Sequence, residues 1–266
     1  MSATAWPPAA ATPAEAGRWW LVVPAAGFGR RMGGDTPKQY LSLGGRSVLE
    51  VTLSRFADLP GLAGVVLVTG DGFPVGALNA PQLGGVPIHR VDGGASRALS
   101  VRNGLALFRD RWASLSAGER HEPAEGVGDG LGEWVMVHDA ARPCVTPADL
   151  HRLLAAARYP DGALLTAPVR DTIKRVDANG RVVETVDRRV LRHALTPQLF
   201  PVGVLLEAIE QGLAAGAEIT DEASALERLG LSPLAVDAGT DNLKITHPED
   251  LGIARTILRR QGVLDD

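Results

Sequence analysis

Apolar residues along the chain come in short blocks separated by Gly, Pro and polar stretches. Residues 19–23 are an apolar run closed by a Gly-rich stretch over 27–34, which predicts a buried strand and then a loop. Residues 47–56 place Val48, Val51, Leu53 and Phe56 at helical spacing. Residues 65–68 and 134–137 read as further buried strands, and 86–91 as a weaker one. Residues 96–108 read as a helix with Leu99, Leu105 and Phe108 among its apolar positions. Thr146, Pro147 and Asp149 suit the cap, first and third positions of the next helix, with Asp149 bonding back to the cap. Residues 163–167 predict one more strand. Strands alternating with helices imply an α/β fold, a Rossmann-like, mostly parallel sheet covered on both faces.

Two segments break this rhythm. Residues 114–132 are polar and Gly-rich without apolar period, the pattern of a surface loop. Residues 170–193 carry alternating runs on either side of Asp177-Ala178-Asn179-Gly180, a hairpin signal. A long polar hairpin has little of its own to pack on. It is expected to project as an arm and to meet the same arm of a second subunit, giving a homodimer. No internal repeat is visible. The expected organisation is a disordered tail over 1–18 and one domain over 19–262.

Composition narrows the class. The chain has 266 residues, 45% hydrophobic and 22% charged, which suits a globular domain. A net charge of −4 argues against a general nucleic-acid or membrane-surface binder. No apolar run approaches the roughly 18 residues of a membrane helix. The Ala- and Pro-rich start lacks the basic segment and apolar block of a signal peptide. Cys144 is the single cysteine, so no intrachain disulfide can form, and a cytoplasmic setting is expected.

The first loop, Pro24-Ala25-Ala26-Gly27-Phe28-Gly29-Arg30-Arg31-Met32-Gly33, offers small residues and successive backbone N–H groups that can cradle phosphate oxygens. A tight turn alone would also use glycines. Arg31 in the loop and Lys38 just beyond it raise the functional reading, because two cations beside exposed N–H groups suit a polyanion such as a triphosphate. A dinucleotide site fits poorly. Its acid belongs about 20 residues past the loop, whereas the second strand here ends near Asp71, and Met32 stands where the third glycine should be. Asp139 directly follows the strand at 134–137. Ligands of open parallel sheets bind at such strand ends, and an Asp there commonly holds a divalent cation. Its alternative role as a helix cap is already filled by Thr146.

Taken in order, several motifs resemble the 2-C-methyl-D-erythritol 4-phosphate cytidylyltransferases. They are Ala25-Ala26-Gly27-Phe28-Gly29-Arg30-Arg31-Met32 with Pro37-Lys38-Gln39-Tyr40, then Val91-Asp92-Gly93-Gly94-Ala95-Ser96-Arg97-Ala98-Leu99-Ser100-Val101. His138-Asp139-Ala140-Ala141-Arg142-Pro143 and Ala167-Pro168-Val169-Arg170-Asp171-Thr172 follow, then Thr185-Val186-Asp187-Arg188 and His193-Ala194-Leu195-Thr196-Pro197-Gln198. Thr220-Asp221-Glu222-Ala223 and Asp241-Asn242-Leu243-Lys244-Ile245-Thr246 complete the set. Each motif alone is ambiguous; the ordered set is specific and spans nearly all of residues 19–258. The tail and the 114–132 loop depart from the pattern.

The resemblance implies transfer of CMP from CTP to 2-C-methyl-D-erythritol 4-phosphate, with release of pyrophosphate and help from Mg2+ or another divalent cation. It implies that Ala25, Ala26, Gly27 and Gly29 give backbone contacts to CTP. Gly94 and Ser100 would read the cytosine and its neighbourhood, with Ala140 beside the ribose. Arg31, Lys38 and Lys244 would carry the catalytic charge. Asp139 would be the metal-linked, substrate-binding acid, with Asp241 as a second candidate. Thr172 and Arg188, on the arm, and Thr220 would bind the acceptor. Residues 170–192 hold seven Lys/Arg against four Asp/Glu, which suits an arm that receives an anion. Two other readings stay open: a CTP-dependent enzyme for another polyol phosphate such as ribitol 5-phosphate, and a non-catalytic nucleotide-binding regulator on the same fold. The regulator could dispense with Lys38, Asp139 or Lys244, and all three are present.

Overall fold

Alternate residues of the first strand enter opposite layers of the core. In the computed structural model, which describes residues 17–27, 36–70, 73, 78, 82–108 and 134–265, β1 (Trp19–Ala25) sends Trp19, Leu21, Val23 and Ala25 into one apolar cluster. Trp20 and Val22 enter the other. The short β2 (Ser42–Leu43) and β3 (Arg46–Ser47) lead into α1 (Val48–Ser54), and β4 (Leu62–Thr69) follows. Then come β5 (Gln82–Leu83), β6 (Val86–Asp92), α2 (Arg97–Ala106) and β7 (Trp134–Val137). In β4 and β7 the alternation recurs, Val65, Leu67, Trp134 and Met136 against Val66, Val68, Val135 and Val137. Burial on both faces is why these strands read as continuous apolar blocks.

α3 (Pro147–Leu154) and β8 (Ala163–Pro168) come next, then the hairpin strands β9 (Ile173–Val176) and β10 (Val182–Val186). The chain ends through β11 (Arg192–Pro201), α4 (Val202–Ala214), α5 (Glu222–Arg228), β12 (Leu234–Asp237) and α6 (Asp250–Arg260). The main sheet has the order β12-β8-β11-β7-β1-β4-β6-β5. Its pairings are parallel, except that β11 runs antiparallel to β7 and β8, and β5 to β6. α1 and α3 pack on one face, and α2, α4 and α5 on the other. α6 closes a third cluster with Leu43, Val48, Cys144 and Ile245.

The expected α/β sheet is present, and so are the helices at 47–56 and 96–108. Thr146 caps α3 by accepting from Asp149 N, and its hydroxyl donates to Asp149 Oδ2 at 2.7 Å, so the acid bonds back through the cap's side chain. The 1–16 part of the tail and the loop at 114–132 lie outside the described residues. The 170–193 hairpin forms a two-stranded sheet separate from the main one. Its turn is closed by Asp177 Oδ1, which accepts from Asn179 N and Arg181 N, with Gly180 at φ +76°. Asn179 has a negative φ, so the left-handed position falls on glycine alone, a type I turn followed by a bulge rather than a mirror-image turn. Val176, Val182, Val183 and Val190 are 53–80% exposed on this arm.

β11 sets up the site. Its pairing with β8 shifts between Ala194 and Gln198, where Pro197 has no N–H to give a ladder. The bulge carries Thr196 to the end of β7. His138 there is fully buried and packs edge-on against Phe56. Its Nε2 lies 3.0 Å from Arg142 O, which can only accept, so Nε2 bears the proton. Nδ1 then accepts from the Thr196 hydroxyl at 3.1 Å, and that oxygen accepts from Asp139 N at 3.1 Å.

Burial pushes the His138 pKa down to about 4, against the pull of Arg142 O and Asp139. The unfolded chain therefore takes up a proton, near an ordinary histidine pKa, that the native ring refuses. This stability is complete above about pH 6.5 and is lost as pH falls toward 4, a change of about 3 kcal/mol. His138→Gln retains a donor for Arg142 O without a titrating ring. Urea unfolding between pH 7 and 4 is expected to show a steeper acid loss in the wild-type protein than in this variant, and parallel curves would contradict the assignment.

Candidate active site

The site forms where the carboxyl ends of β1, β4 and β7 face the segments after β6 and β12. Asp139 is the first side chain beyond the His138 anchor and is 7% exposed. Its Oδ1 accepts from Arg97 Nε at 3.0 Å. Its Oδ2 lies 2.7 Å from Lys244 Nζ and 3.5 Å from Arg142 Nε. Burial alone would raise the Asp139 pKa, but Arg97, Lys244 and Arg142 together hold it well below the carboxylate range. Arg97 in turn grips Glu222 at 2.7 and 3.0 Å, and the two carboxylates raise the guanidinium pKa against the opposing effect of burial. Burial raises Glu222, with Arg97 opposing.

The first loop is held from below. Gln39, 4% exposed, donates from Nε2 to Ala25 O at 2.7 Å and to Gly27 O at 3.0 Å. Ala26 sits against Gly93, where an added Cβ would lie 2.3 Å from the Ala26 methyl, so this close approach requires glycine. Gly94 N donates to Ser100 Oγ at 3.1 Å, and that hydroxyl lies 2.9 Å from Ser96 O. Ser100 is buried and fixes the loop that carries Gly94. Lys38 Nζ donates to Ile245 O at 2.8 Å, which places it on the same strip of backbone as Lys244. Ala140 is buried, and its carbonyl accepts from Thr52 Oγ1 at 3.0 Å.

The structure thus brings together Ala25, Ala26, Gly27, Lys38, Gly94, Ser100, Asp139, Ala140 and Lys244. Gly29 and Arg31 fall outside the described residues. Thr172 and Arg188 are exposed on the arm, and Arg188 Nη1 bonds Arg170 O. Thr220 is exposed at the approach to α5, whose cap is Asp221, reciprocally bonded with Ser224. A helix thus starts directly after Thr220, whose N–H donates to Ser224 Oγ at 3.2 Å. Asp241 is bonded to Arg260 at 2.5 Å. Among the described residues, no group of three or more His, Cys, Asp or Glu side chains could hold a metal ion. Arg97, Arg142, Gln39, Thr196 and Glu222 join the site through these contacts, and the motif reading quoted them without assigning them a role. The signal was a polar side chain within otherwise small or apolar stretches.

The arrangement gathers three basic side chains around two buried carboxylates, with Lys38 beside them on Ile245 O and the start of the first loop nearby. It suits a polyanion whose charge must be balanced while it reacts.

Comparison with known proteins gives the family. Residues 19–115 and 124–260 match the family model "IspD: 2-C-methyl-D-erythritol 4-phosphate cytidylyltransferase". The interval between the two stretches lies within residues 114–132. The chain is 47% identical over 243 residues to the 2-C-methyl-D-erythritol 4-phosphate cytidylyltransferase of Aeromonas hydrophila, covering 90% of this chain and 89% of that one. It is 47% identical over 234 residues to the protein of the same name from Pseudomonas fluorescens strain Pf0-1, covering 88% and 92%. The crystal structure of the Francisella tularensis protein of that name is similar with a TM-score of 0.72 at 32% identity, over 91% of this chain and 100% of that one. A crystal structure of a 4-diphosphocytidyl-2C-methyl-D-erythritol synthase is similar with a TM-score of 0.70 at 34% identity, over 91% and 99%. The chain belongs to the 2-C-methyl-D-erythritol 4-phosphate cytidylyltransferase family.

Proposed function

We propose that this chain transfers CMP from CTP to 2-C-methyl-D-erythritol 4-phosphate, releasing pyrophosphate and forming 4-diphosphocytidyl-2-C-methyl-D-erythritol. The observation that carries this reading is Asp139 ringed by Arg97, Arg142 and Lys244 at the end of β7, beside the loop held by Gln39. A phosphate monoester has its second pKa near ~6 and is largely dianionic at neutral pH. It is a nucleophile without a general base, and the barrier is the approach of two anions. Backbone N–H groups around Ala26 and Gly27 bind the triphosphate. Lys38 and Lys244, with Arg31, balance charge at the α-phosphate as the acceptor oxygen attacks in line and pyrophosphate leaves. Neutral His138 is tied to Arg142 O and Thr196 and moves no proton in this scheme.

The donor set fits a hard divalent cation such as Mg2+. Asp139 is a carboxylate at the strand ends, and magnesium takes one or two carboxylates with phosphate and water oxygens completing its shell. Asp139 would hold the ion, with Lys244 yielding its place beside Oδ2. When bound, the ion would offset phosphate charge. Asp241, bonded to Arg260, is the weaker candidate.

The acceptor is assigned to Thr220 and to Thr172 and Arg188 of a second subunit's arm. Four exposed valines on the arm support a partner there. No helix among the described residues is long and apolar enough to cross a membrane.

Pyrophosphate release from CTP tests the function. It is expected with methylerythritol phosphate and not with ribitol 5-phosphate; the reverse preference, or no release, would overturn the assignment. Lys38→Ala and Arg31→Ala are each expected to lower kcat by about 100-fold, with a smaller rise in the KM for CTP, because the balanced charge develops during transfer. Wild-type kcat with weaker CTP binding would remove the residue from the chemistry.

Lys38→Ala and Arg188→Ala homodimers should each be nearly inactive. If the arm serves the neighbouring site, a mixed dimer has one site with both lesions and one with none. Subunit exchange should then restore up to about a quarter of wild-type activity, because half of the dimers are mixed and each has one intact site. No recovery, or a monomer at working concentration, would refute the exchanged arm.

A further inference from the structure

Arg97 and Glu222 are bound up with the site, yet neither belongs to the nucleotide or acceptor contacts above. Arg97 is the first residue of α2, just past the Gly93-Gly94 loop that takes the nucleotide. Glu222 is the first residue of α5, two residues past Thr220, and is 1% exposed. All three guanidinium nitrogens are used: Nε on Asp139 Oδ1 at 3.0 Å, Nη1 on Glu222 Oε1 at 2.7 Å, and Nη2 on Glu222 Oε2 at 3.0 Å. One planar group thus joins the nucleotide side, the end of β7 and the acceptor side.

Packing does not require this pair. The residues that follow Glu222, Ala223, Ala225 and Leu226, are apolar and buried, and an apolar side chain would suit the same pocket. An ion pair that draws one carboxylate fully out of water and its guanidinium most of the way is a poor device for stability, so its geometry calls for another explanation. Without Glu222, the fork of Arg97 would be free to close on both oxygens of Asp139, the arrangement guanidinium and carboxylate favour. With Glu222 present, two of the three nitrogens are engaged elsewhere. Arg97 reaches Asp139 through Nε alone, and Oδ2 is left to face Lys244.

Building on the cytidylyl-transfer reading, we propose that Arg97 and Glu222 are positioning residues for the transfer reaction: Glu222 restricts Arg97 to one oxygen of Asp139 and fixes the carboxylate while locking the nucleotide loop to the acceptor helix. Both act through Asp139 and touch no reacting atom. The role needs a planar fork that serves two carboxylates at once. Lysine, a point charge, cannot fill it.

The test separates positioning from stability. In Arg97→Met/Glu222→Met, two apolar side chains replace the pair, and Asp139 keeps Lys244 and Arg142. Thermal melts are expected to stay near the wild-type value, with the Kd for CTP by calorimetry within about 3-fold and kcat down about 10- to 100-fold. Arg97→Lys keeps the charge and is expected to lose about 10-fold in kcat with little change in the KM for CTP. A double variant that melts like wild type and turns over like wild type would make the pair structural only and overturn the proposal. If the double variant fails to fold, Arg97→Lys decides, and wild-type kcat there is the overturning result. Wild-type protein assayed alongside for pyrophosphate release keeps the two questions apart. An inactive wild type overturns the function and the positioning role with it, whereas loss confined to the variants' kcat supports the role.

Discussion

A carboxylate taken out of water must be matched by charge or hydrogen bonds, and Asp139 is matched three times over. Much of the surrounding architecture follows from that demand. The Thr196 bulge and the His138 ring fix the backbone from which Asp139 departs. Arg142, one turn on, is steadied by Asn242 O at 2.8 Å, and Asn242 Nδ2 returns to Thr196 O at 2.8 Å. The strip that carries Asn242 and Lys244 is thereby bound to β11, and Ile245 N bonds Ala141 O at 2.8 Å. Elements far apart in the chain meet because one anion gathers their cations.

The same cluster answers the chemical problem. Two phosphate-bearing reactants repel each other, and no nucleophilic side chain is needed because the acceptor phosphate is already ionised. What the protein supplies is fixed positive charge in a partly desolvated place, where it costs no reorganisation as transfer proceeds. Asp139 keeps these cations from repelling one another before CTP arrives, and the bond from Lys38 to Ile245 O holds a further cation on the same rim.

Much of this was legible in the sequence, for physical reasons. Strands buried on both faces produce unbroken apolar blocks, so β1, β4 and β7 were readable, and Asp139 stood out as an acid immediately after one of them. The hairpin announced itself through Asn179-Gly180, although the turn it forms is closed by Asp177 and puts only Gly180 in the left-handed region. β11 was not legible as a strand, because its first three residues are exposed and Pro197 interrupts its ladder. Of the helices after it, α5 alone carried a motif, at its start over Thr220-Asp221-Glu222-Ala223. Nor could spacing reveal that Arg97 spans Asp139 and Glu222, since that contact joins residues 125 apart. Gln39 looked like part of a loop signature. Only the fold shows that it holds two carbonyls of the loop.

The central claim is that the ionised carboxylate of Asp139 organises the cations for transfer. Its most direct test is the steady-state rate of Asp139→Asn across a magnesium titration, with CTP affinity measured in parallel. Asparagine keeps the shape and removes the charge. The account predicts a folded protein that still binds CTP, with kcat lowered by about 100-fold or more and half-maximal activity shifted to higher magnesium. Wild-type turnover at low magnesium would contradict it.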